Sequence, residues 1–280
     1  MKVIVHGGFF SEAGTDDDTK KKKQDAISRI AADAYEYGKT HSALETVIYG
    51  VTLLEDDPLF NAGTGSQIQS DGKIRMSAAL MDGPTQKMSG VVNIEDVKNP
   101  ILVAEKLMDF DDRVLGGEGA NNFARNQGFE KYSVETEERR KDYEEKLKSN
   151  GQGTVGCVAM DANGRIAAAT STGGKGFEMP GRISDSPTVA GNYANQYCGV
   201  SVTGVGEDII RAAVAAKIVT RVSDGFPIDK AFAKTFGELK PYDGFAGAIA
   251  IDHHGNIYHE DSHPMMVFAS FDGDKLEVFE

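Results

Sequence analysis

Apolar positions along this chain follow two periods, and the switches between them mark its elements. Lys2 to His6 is a short β-branched run that predicts a strand, closed by Gly7-Gly8. The charged block TDDDTKKKK leads into QDAISRIAADAYEYG, which predicts a helix with a solvated entry. Leu44, Val47, Ile48, Val51 and Leu54 then recur at helical spacing. Ser42 and Glu45 form a capping box at the front of that helix, and Pro58 requires it to stop. From Gly65 to Asn93 the pattern becomes strand-like, and Asp71-Gly72 within SQIQSDGKIRMSAALMDG predicts a hairpin turn. A further helix is expected in NPILVAEKLMD, after Pro100.

Residues 131 to 150, KYSVETEERRKDYEEKLKSN, break with everything around them. Acids and bases alternate, aliphatic residues are nearly absent, and no apolar face is available for docking. The expectation is a solvated helix or a flexible linker, continuing to about residue 153. Beyond it, TVGCVAMDANGRIAAATS predicts a hairpin around Asn163-Gly164, with small residues suited to a tightly packed sheet. A strand ending at Thr203-Gly204 precedes one long apolar helix, GEDIIRAAVAAKIVTRV, and a second from Ile228 to Leu239. The strands AGAIAID, GNIYHE and MMVFAS close the chain. Two blocks, each with paired helices and several strands, predict a layered α/β sandwich.

Composition narrows the classes. At 280 residues the chain can bury a sizeable core, and 40% hydrophobic with 26% charged residues is ordinary for a globular protein. No apolar run reaches the roughly 18 residues of a membrane span, and MKVIVHGGFF is too soon interrupted by glycine for a secretory signal. A formal charge of -13 repels nucleic acid and anionic membranes. The two cysteines, Cys157 and Cys198, sit in strand-like surroundings and suit a reducing compartment, so a cytoplasmic location is expected. The six histidines and two cysteines lack transition-metal spacing such as H-E-x-x-H.

The candidate chemistry centres on Gly153-Thr154, where the polar run SNGQG gives way to TVGCVAM. A β-branched residue opening a strand is ordinary, and by position alone Thr154 reads as structural. The chemical reading is a cleavage point. A threonine hydroxyl needs a base, and a free α-amino group on the same residue, with a pKa of about 7.7–8.0, can serve. Glycine before it permits the strained backbone that attack on the preceding carbonyl requires.

Downstream motifs favour the second reading. In the order HGG, LLEDDPLFNAGTGS, MSAALMDG, GTVG, TSTGG, PGRISDSP and TGVGE, the chain resembles the plant-type asparaginases, or isoaspartyl peptidases, of the N-terminal-nucleophile hydrolase superfamily. The resemblance covers nearly the whole chain. It implies a four-layer αββα sandwich, made as one single-domain precursor and cut into 1–153 and 154–280. By the same resemblance Thr154 is the nucleophile released by autoproteolysis after Gly153, and Thr172 is the second threonine, which tunes it. Thr203 and the Gly204 amide form the oxyanion hole. Arg182 clamps the substrate's α-carboxylate, Asp185 pairs with its α-ammonium, Gly206 offers backbone contacts beside them, and Asn61 supports the junction. An amino-acid end needs one cation, one anion and an oxyanion site, and these residues supply them.

The resemblance further implies that carbonyls of Leu54, Glu55, Asp57, Phe60, Ala62 and Thr64 ring a structural sodium or potassium ion, with no cofactor for the chemistry. Expected substrates are β-aspartyl dipeptides and, more weakly, L-asparagine. The expected assembly is two cleaved pairs, (αβ)2, with no nucleic-acid or membrane partner. The leaving group stays open between arginine or lysine, an apolar residue and ammonia; the acidic composition makes a basic one plausible, with Glu178 as a candidate contact.

Other readings fit less well. TGVGED lacks the third glycine of a dinucleotide fingerprint, and no phosphate-binding G-x-x-x-x-G-K-[ST] occurs. Arg182 and Asp185 could be a surface i,i+3 pair. A non-catalytic binding module would be expected to lose Thr154, Thr172 or Arg182, and a glycosylasparaginase-like amidase is the enzymatic alternative. The chain departs from the family pattern at Phe9-Phe10, at Ala246-Gly247 and in HEDSHPMMVFASFDG. Those departures bear on the leaving-group side.

Overall fold

Small residues let two sheets lie unusually close, and the candidate site grows from that contact. In the computed structural model, which describes residues 1–10, 17–145, 153–263 and 265–280, the chain begins β1 (Lys2–Phe9), α1 (Asp17–Gly38), α2 (Ala43–Asp56), β2 (Met76–Asp82) and β3 (Lys87–Ile94). It continues α3 (Pro100–Leu107), β4 (Val114–Gly116), α4 (Gly117–Asn126), α5 (Glu137–Glu144), β5 (Thr154–Met160) and β6 (Ile166–Thr172). It ends β7 (Asn192–Ala194), β8 (Cys198–Gly204), α6 (Gly206–Ala212), α7 (Val214–Ser223), α8 (Ile228–Gly237), β9 (Ala246–Asp252), β10 (Ile257–Asp261), β11 (Met266–Phe271) and β12 (Leu276–Val278).

One sheet has the order β12-β11-β1-β5-β6-β2-β3-β4 and is antiparallel except for the β3–β4 pair. The other runs β10-β9-β8-β7. Strands β5 and β6 pack on β8, while β1 packs on β9. Helices α1, α2 and α3 cover the outer face of the large sheet; α7 and α8 cover the small one. The layer order is therefore helix, sheet, sheet, helix, the sandwich that the sequence resemblance implies. At Gly156 the contact is so close that a Cβ would lie 1.9 Å from Ser201 Oγ on β8. Only glycine fits there.

Local signals account for much of this. The capping box is present: Glu45 N–H donates to Ser42 Oγ at 3.3 Å, and Ser42 N–H donates to Glu45 Oε2 at 2.9 Å. The β5–β6 hairpin turns at the expected Asn163-Gly164. Three expectations need correction. Asp71-Gly72 does turn, with Gly72 at φ +82°, but it joins no strand pair; Arg75 curls back onto Asp71 and Gln69. The hairpin is β2–β3, reversing after Asp82. The long apolar helix breaks at Ala213, φ +50°, into α6 and α7.

The third concerns 131–145, expected to be a solvated helix or flexible linker with no apolar face: the solvated helix forms as α5, yet the segment is anchored to the body. Val134 is buried, and its carbonyl accepts from Gly65 N–H at 3.1 Å. Arg139 Nε–H donates to Gly65 O at 2.8 Å, and Tyr143 stacks on Phe177 at 5.1 Å. Helix α5 itself buries no residue, so polar and aromatic anchors replace an apolar face. The rest of the expected linker, 146–152, lies outside the described residues. Among the described residues no helix is long and apolar enough to cross a membrane.

Candidate active site

Antiparallel register places two threonines together. The turn at Asn163-Gly164 sets Thr154, the first residue of β5, directly opposite Thr172, the last of β6. Thr154 Oγ1 donates to Thr172 Oγ1 at 3.3 Å and lies 3.4 Å from Ser186 Oγ. Thr172 Oγ1 also accepts from Gly174 N–H at 3.2 Å. Thr154 and Thr172 are both nearly buried, 6% and 4% exposed, so the hydroxyl pair is shielded from bulk water.

A cavity of about 210 Å³ opens above this pair. It is lined by Gly153, Thr154, Thr172, Gly174 and Lys175 together with Arg182, Ser184, Asp185 and the run Gly204 to Glu207. A larger recess of about 460 Å³, near Lys2, His259, Lys275 and Glu277, has no comparable convergence of buried polar groups. The Thr154 cavity thus gathers Thr154, Thr172, Arg182, Asp185, Gly204 and Gly206, residues spread over more than fifty positions of chain.

Its charges are arranged unevenly. Arg182, in the middle of the irregular segment between β6 and β7, gives Nε–H to Glu207 Oε1 at 2.9 Å and Nη2–H to Glu207 Oε2 at 2.8 Å. That fork holds the Glu207 carboxyl down at about 2. Asp185 is buried, and its Oδ2 has no hydrogen-bond partner among the described residues. Burial pushes the Asp185 carboxyl up to about 7; Arg182 opposes that rise and Glu207 adds to it. The surface i,i+3 pair is thereby set aside: Asp185 is inside, and the guanidinium is gripped by Glu207. At Gly206 a Cβ would lie 2.8 Å from Arg182 Nη2 and 3.0 Å from Asp185 Oδ1, so only bare backbone fits between them.

Thr203, next to last in β8, has a fully buried side chain whose Oγ1 has no partner among the described residues. It stands behind the lining rather than in it. Gly204 does line the cavity, at φ +136°, where a Cβ would meet Phe245 O at 2.4 Å. Asn61 also stands one layer back. Its Nδ2 donates to Gly174 O at 2.5 Å, its Oδ1 accepts from Gln67 N–H at 3.0 Å, and its carbonyl accepts from Gly173 N–H at 2.9 Å. A Cβ on Gly153 would approach Asn61 Cβ to 2.8 Å.

Beneath Thr154 runs a buried polar chain that sequence reasoning missed. His6 Nε2 lies 2.8 Å from Ser201 Oγ, which lies 2.6 Å from Thr170 Oγ1. Burial pushes His6 down to about 3, with the Thr154 backbone opposing, so it is neutral; its Nδ1 has no hydrogen-bond partner among the described residues. Ser184, Ser186, Lys175 and Glu207 were missed as well. Ser186 and Glu207 stand inside the motifs PGRISDSP and TGVGE, which was the available signal. Glu178 is corrected: it does not line the cavity but is buried beneath Gly174, with Oε1 3.5 Å from Gln69 Nε2.

The candidate cation loop follows from the end of α2. Leu54 and Glu55 are in its last turn and Asp57 caps it, while Phe60, Ala62 and Thr64 lie in the coil beyond. Thr64 N–H bonds Glu55 O at 2.8 Å and Phe60 N–H bonds Asp57 O at 3.1 Å. Gly65, at φ +93°, leaves a pocket that a Cβ would fill 2.7 Å from Pro58 O and 3.0 Å from Phe60 O. Of the six expected carbonyls, Phe60 O borders that space together with Pro58 O, while Glu55 O and Asp57 O already accept backbone N–H; carbonyl oxygens are ligands of a hard cation.

The family model described as asparaginase matches residues 1–152 and 136–280. The chain is 43% identical to the isoaspartyl peptidase/L-asparaginase of Synechocystis sp., over 99% of this chain and 91% of that protein. It is 40% identical to the plant-type L-asparaginase of Pyrococcus furiosus, over 92% of each. Against the isoaspartyl peptidase of Escherichia coli the figure is 37%, over 91% of this chain and 88% of that one.

Proposed function

Because the chain belongs to the asparaginase family, we propose that its Thr154 hydroxyl attacks the β-carbonyl of an aspartyl group. The protein is a hydrolase of isoaspartyl peptides and L-asparagine. The observation that supports the residue assignment best is the hydroxyl pair Thr154–Thr172 facing Arg182 and Asp185 across one small cavity.

In this reading the same hydroxyl acts twice. It first adds to the Gly153 carbonyl; the C–N bond to Thr154 breaks, an ester forms at Oγ1, and water releases the Gly153 carboxylate. Thr154 is left with a free α-amine, which then serves as its base. With substrate, the hydroxyl proton passes to that amine as Oγ1 adds to the β-carbonyl. The developing oxyanion takes hydrogen bonds from the Gly204 amide in the lining and from the Thr203 hydroxyl just behind it, which has no other partner among the described residues. The leaving amine departs with a proton, and water cleaves the β-aspartyl ester to give aspartate. Thr172 orients the hydroxyl, while Arg182 and Asp185 hold the free α-carboxylate and α-ammonium. That double requirement selects isoaspartyl over α-linked aspartyl bonds.

The loop from Leu54 to Thr64 would hold sodium or potassium through its carbonyls, steadying Asn61 and the Gly153 junction and taking no part in the reaction. Two cleaved pairs form the assembled enzyme in the same reading. The buried free thiols of Cys157 and Cys198 support a reducing, cytoplasmic setting. Denaturing electrophoresis tests the scheme: two fragments should appear, and N-terminal sequencing of one should read TVGCVAM. A fully active, uncut chain would overturn it. Light scattering should give about twice 30.1 kDa for the native assembly; a stable, active species of 30.1 kDa would overturn the pairing.

A further inference from the structure

Arg182 spends one edge of its guanidinium on Glu207, using Nε–H and one Nη2–H. Among the described residues the remaining N–H groups take no partner, and one Nη1–H with the second Nη2–H forms the free end-on edge. Nη2 lies against the bare backbone of Gly206, a lining residue of the cavity, and close to buried Asp185. We propose that Glu207 is a positioning residue that grips one edge of Arg182 so that the other meets the substrate's α-carboxylate. This rests on reading Arg182 as the α-carboxylate clamp.

Three observations carry it. Arg182 belongs to a segment between β6 and β7 without regular structure, whereas Glu207 sits in the first turn of α6. A long side chain on such a loop loses several rotamers when it binds, and a bidentate carboxylate fixes them beforehand. Second, the Arg182 side chain is only 13% exposed while Glu207 is 55% exposed, so the carboxylate braces the guanidinium from the solvent side. Third, Lys175 Nζ lies 3.8 Å from Glu207 Oε1, and this cation also lines the cavity. Arg182 and Lys175 balance Glu207 and ionised Asp185. A zwitterionic amino-acid end then enters without changing the net charge of the site.

Kinetics on β-Asp-Leu should separate positioning from competition. Glu207→Ala should raise KM up to about 10-fold with kcat nearly unchanged, the scale of one charge-assisted pair. Glu207→Gln, which keeps one acceptor, should recover part of that loss. Adding Glu207→Ala to Arg182→Ala should cost little more than Arg182→Ala alone, because both act on one contact. Melting temperature and fragment pattern serve as folding controls. An unchanged KM in Glu207→Ala, a lowered one, or full additivity with Arg182→Ala would overturn the proposal. An unchanged KM in Arg182→Ala would instead sink the clamp itself.

Discussion

Thr154 and Thr172 stand as a cross-strand pair at the open ends of β5 and β6, their hydroxyl oxygens 3.3 Å apart. Neither strand end is held by chance. The hairpin turn fixes their register, and Gly174 N–H fixes the Thr172 hydroxyl from the far side. A hydroxyl so placed can accept or return a proton without moving its backbone. The pair therefore ties a local turn signal to the chemistry of the site.

Thr154→Ala should abolish both chain cleavage and hydrolysis, since one hydroxyl serves both. Thr172→Ala should slow both without stopping either, and Thr203→Val should lose activity by about 100- to 1000-fold while still folding. Gel densitometry over time and turnover on β-Asp-Leu check these together. Normal cleavage in Thr154→Ala would require another processing nucleophile.

Gly153→Ala should slow cleavage as well, for a steric reason. Its Cβ would press on Asn61 Cβ at 2.8 Å, and Asn61 is tied to Gly173, Gly174 and Gln67. The added methyl can be accommodated only by shifting the scissile backbone or that network. Pulse-chase of the precursor reads the rate; cleavage as fast as the parent would show that the contact is slack.

Asp185 gives a prediction with a definite sign. Its carboxyl titrates at about 7 here, against 3.8 for an unperturbed aspartate, chiefly because it is buried. Between those values the unfolded chain releases the proton and the folded one keeps it. Folding stability therefore falls as pH rises through that window. Asp185→Asn removes this penalty, so relative to the parent it should be neutral near pH 4 and more stable by about 1–3 kcal/mol at pH 8. It should also bind substrate worse, having lost the counter-ion for the α-ammonium. Thermal melts at both pH values test it, and an equal difference at each would refute the assignment.

Which parts of this were readable in advance has a physical pattern. The capping box of α2 and the β5–β6 turn were legible because a few adjacent residues decide them. The break at Ala213 was not, since alanine is the strongest helix former and only tertiary packing bends the chain there. Two Asp-Gly pairs, at 71 and 82, offer similar turn signals; only the second is flanked by strands that both find sheet partners. The site residues Arg182 and Asp185 were found through their motif. Glu207 and Ser186 sit in the same motifs, but their contacts depend on how distant loops return to the sheet edge.

The leaving-group side is where the structure changes the expectation most. Glu178, the possible contact for a basic leaving residue, is buried beneath Gly174, and Lys175 lines the cavity with its Nζ 3.8 Å from the Glu207 carboxylate. Beyond Gly204 lies an aromatic stack. Phe9 meets Phe245 at 4.4 Å, and Phe245 stacks on His263 at 4.5 Å. Phe245 is joined to the oxyanion segment directly, its carbonyl accepting Val205 N–H at 3.0 Å. The rings of Phe9 and Phe245 beyond Gly204 favour an uncharged, apolar leaving residue. The kcat/KM for β-Asp-Leu should therefore exceed that for β-Asp-Arg and for asparagine, with α-Asp-Leu uncut. Lys175→Glu should narrow the gap between the leucine and arginine substrates, because a lining charge reverses while the aromatic stack stays. Faster cleavage of β-Asp-Arg by the parent enzyme, or a Leu-to-Arg ratio untouched by Lys175→Glu, would show that the leaving residue is read elsewhere.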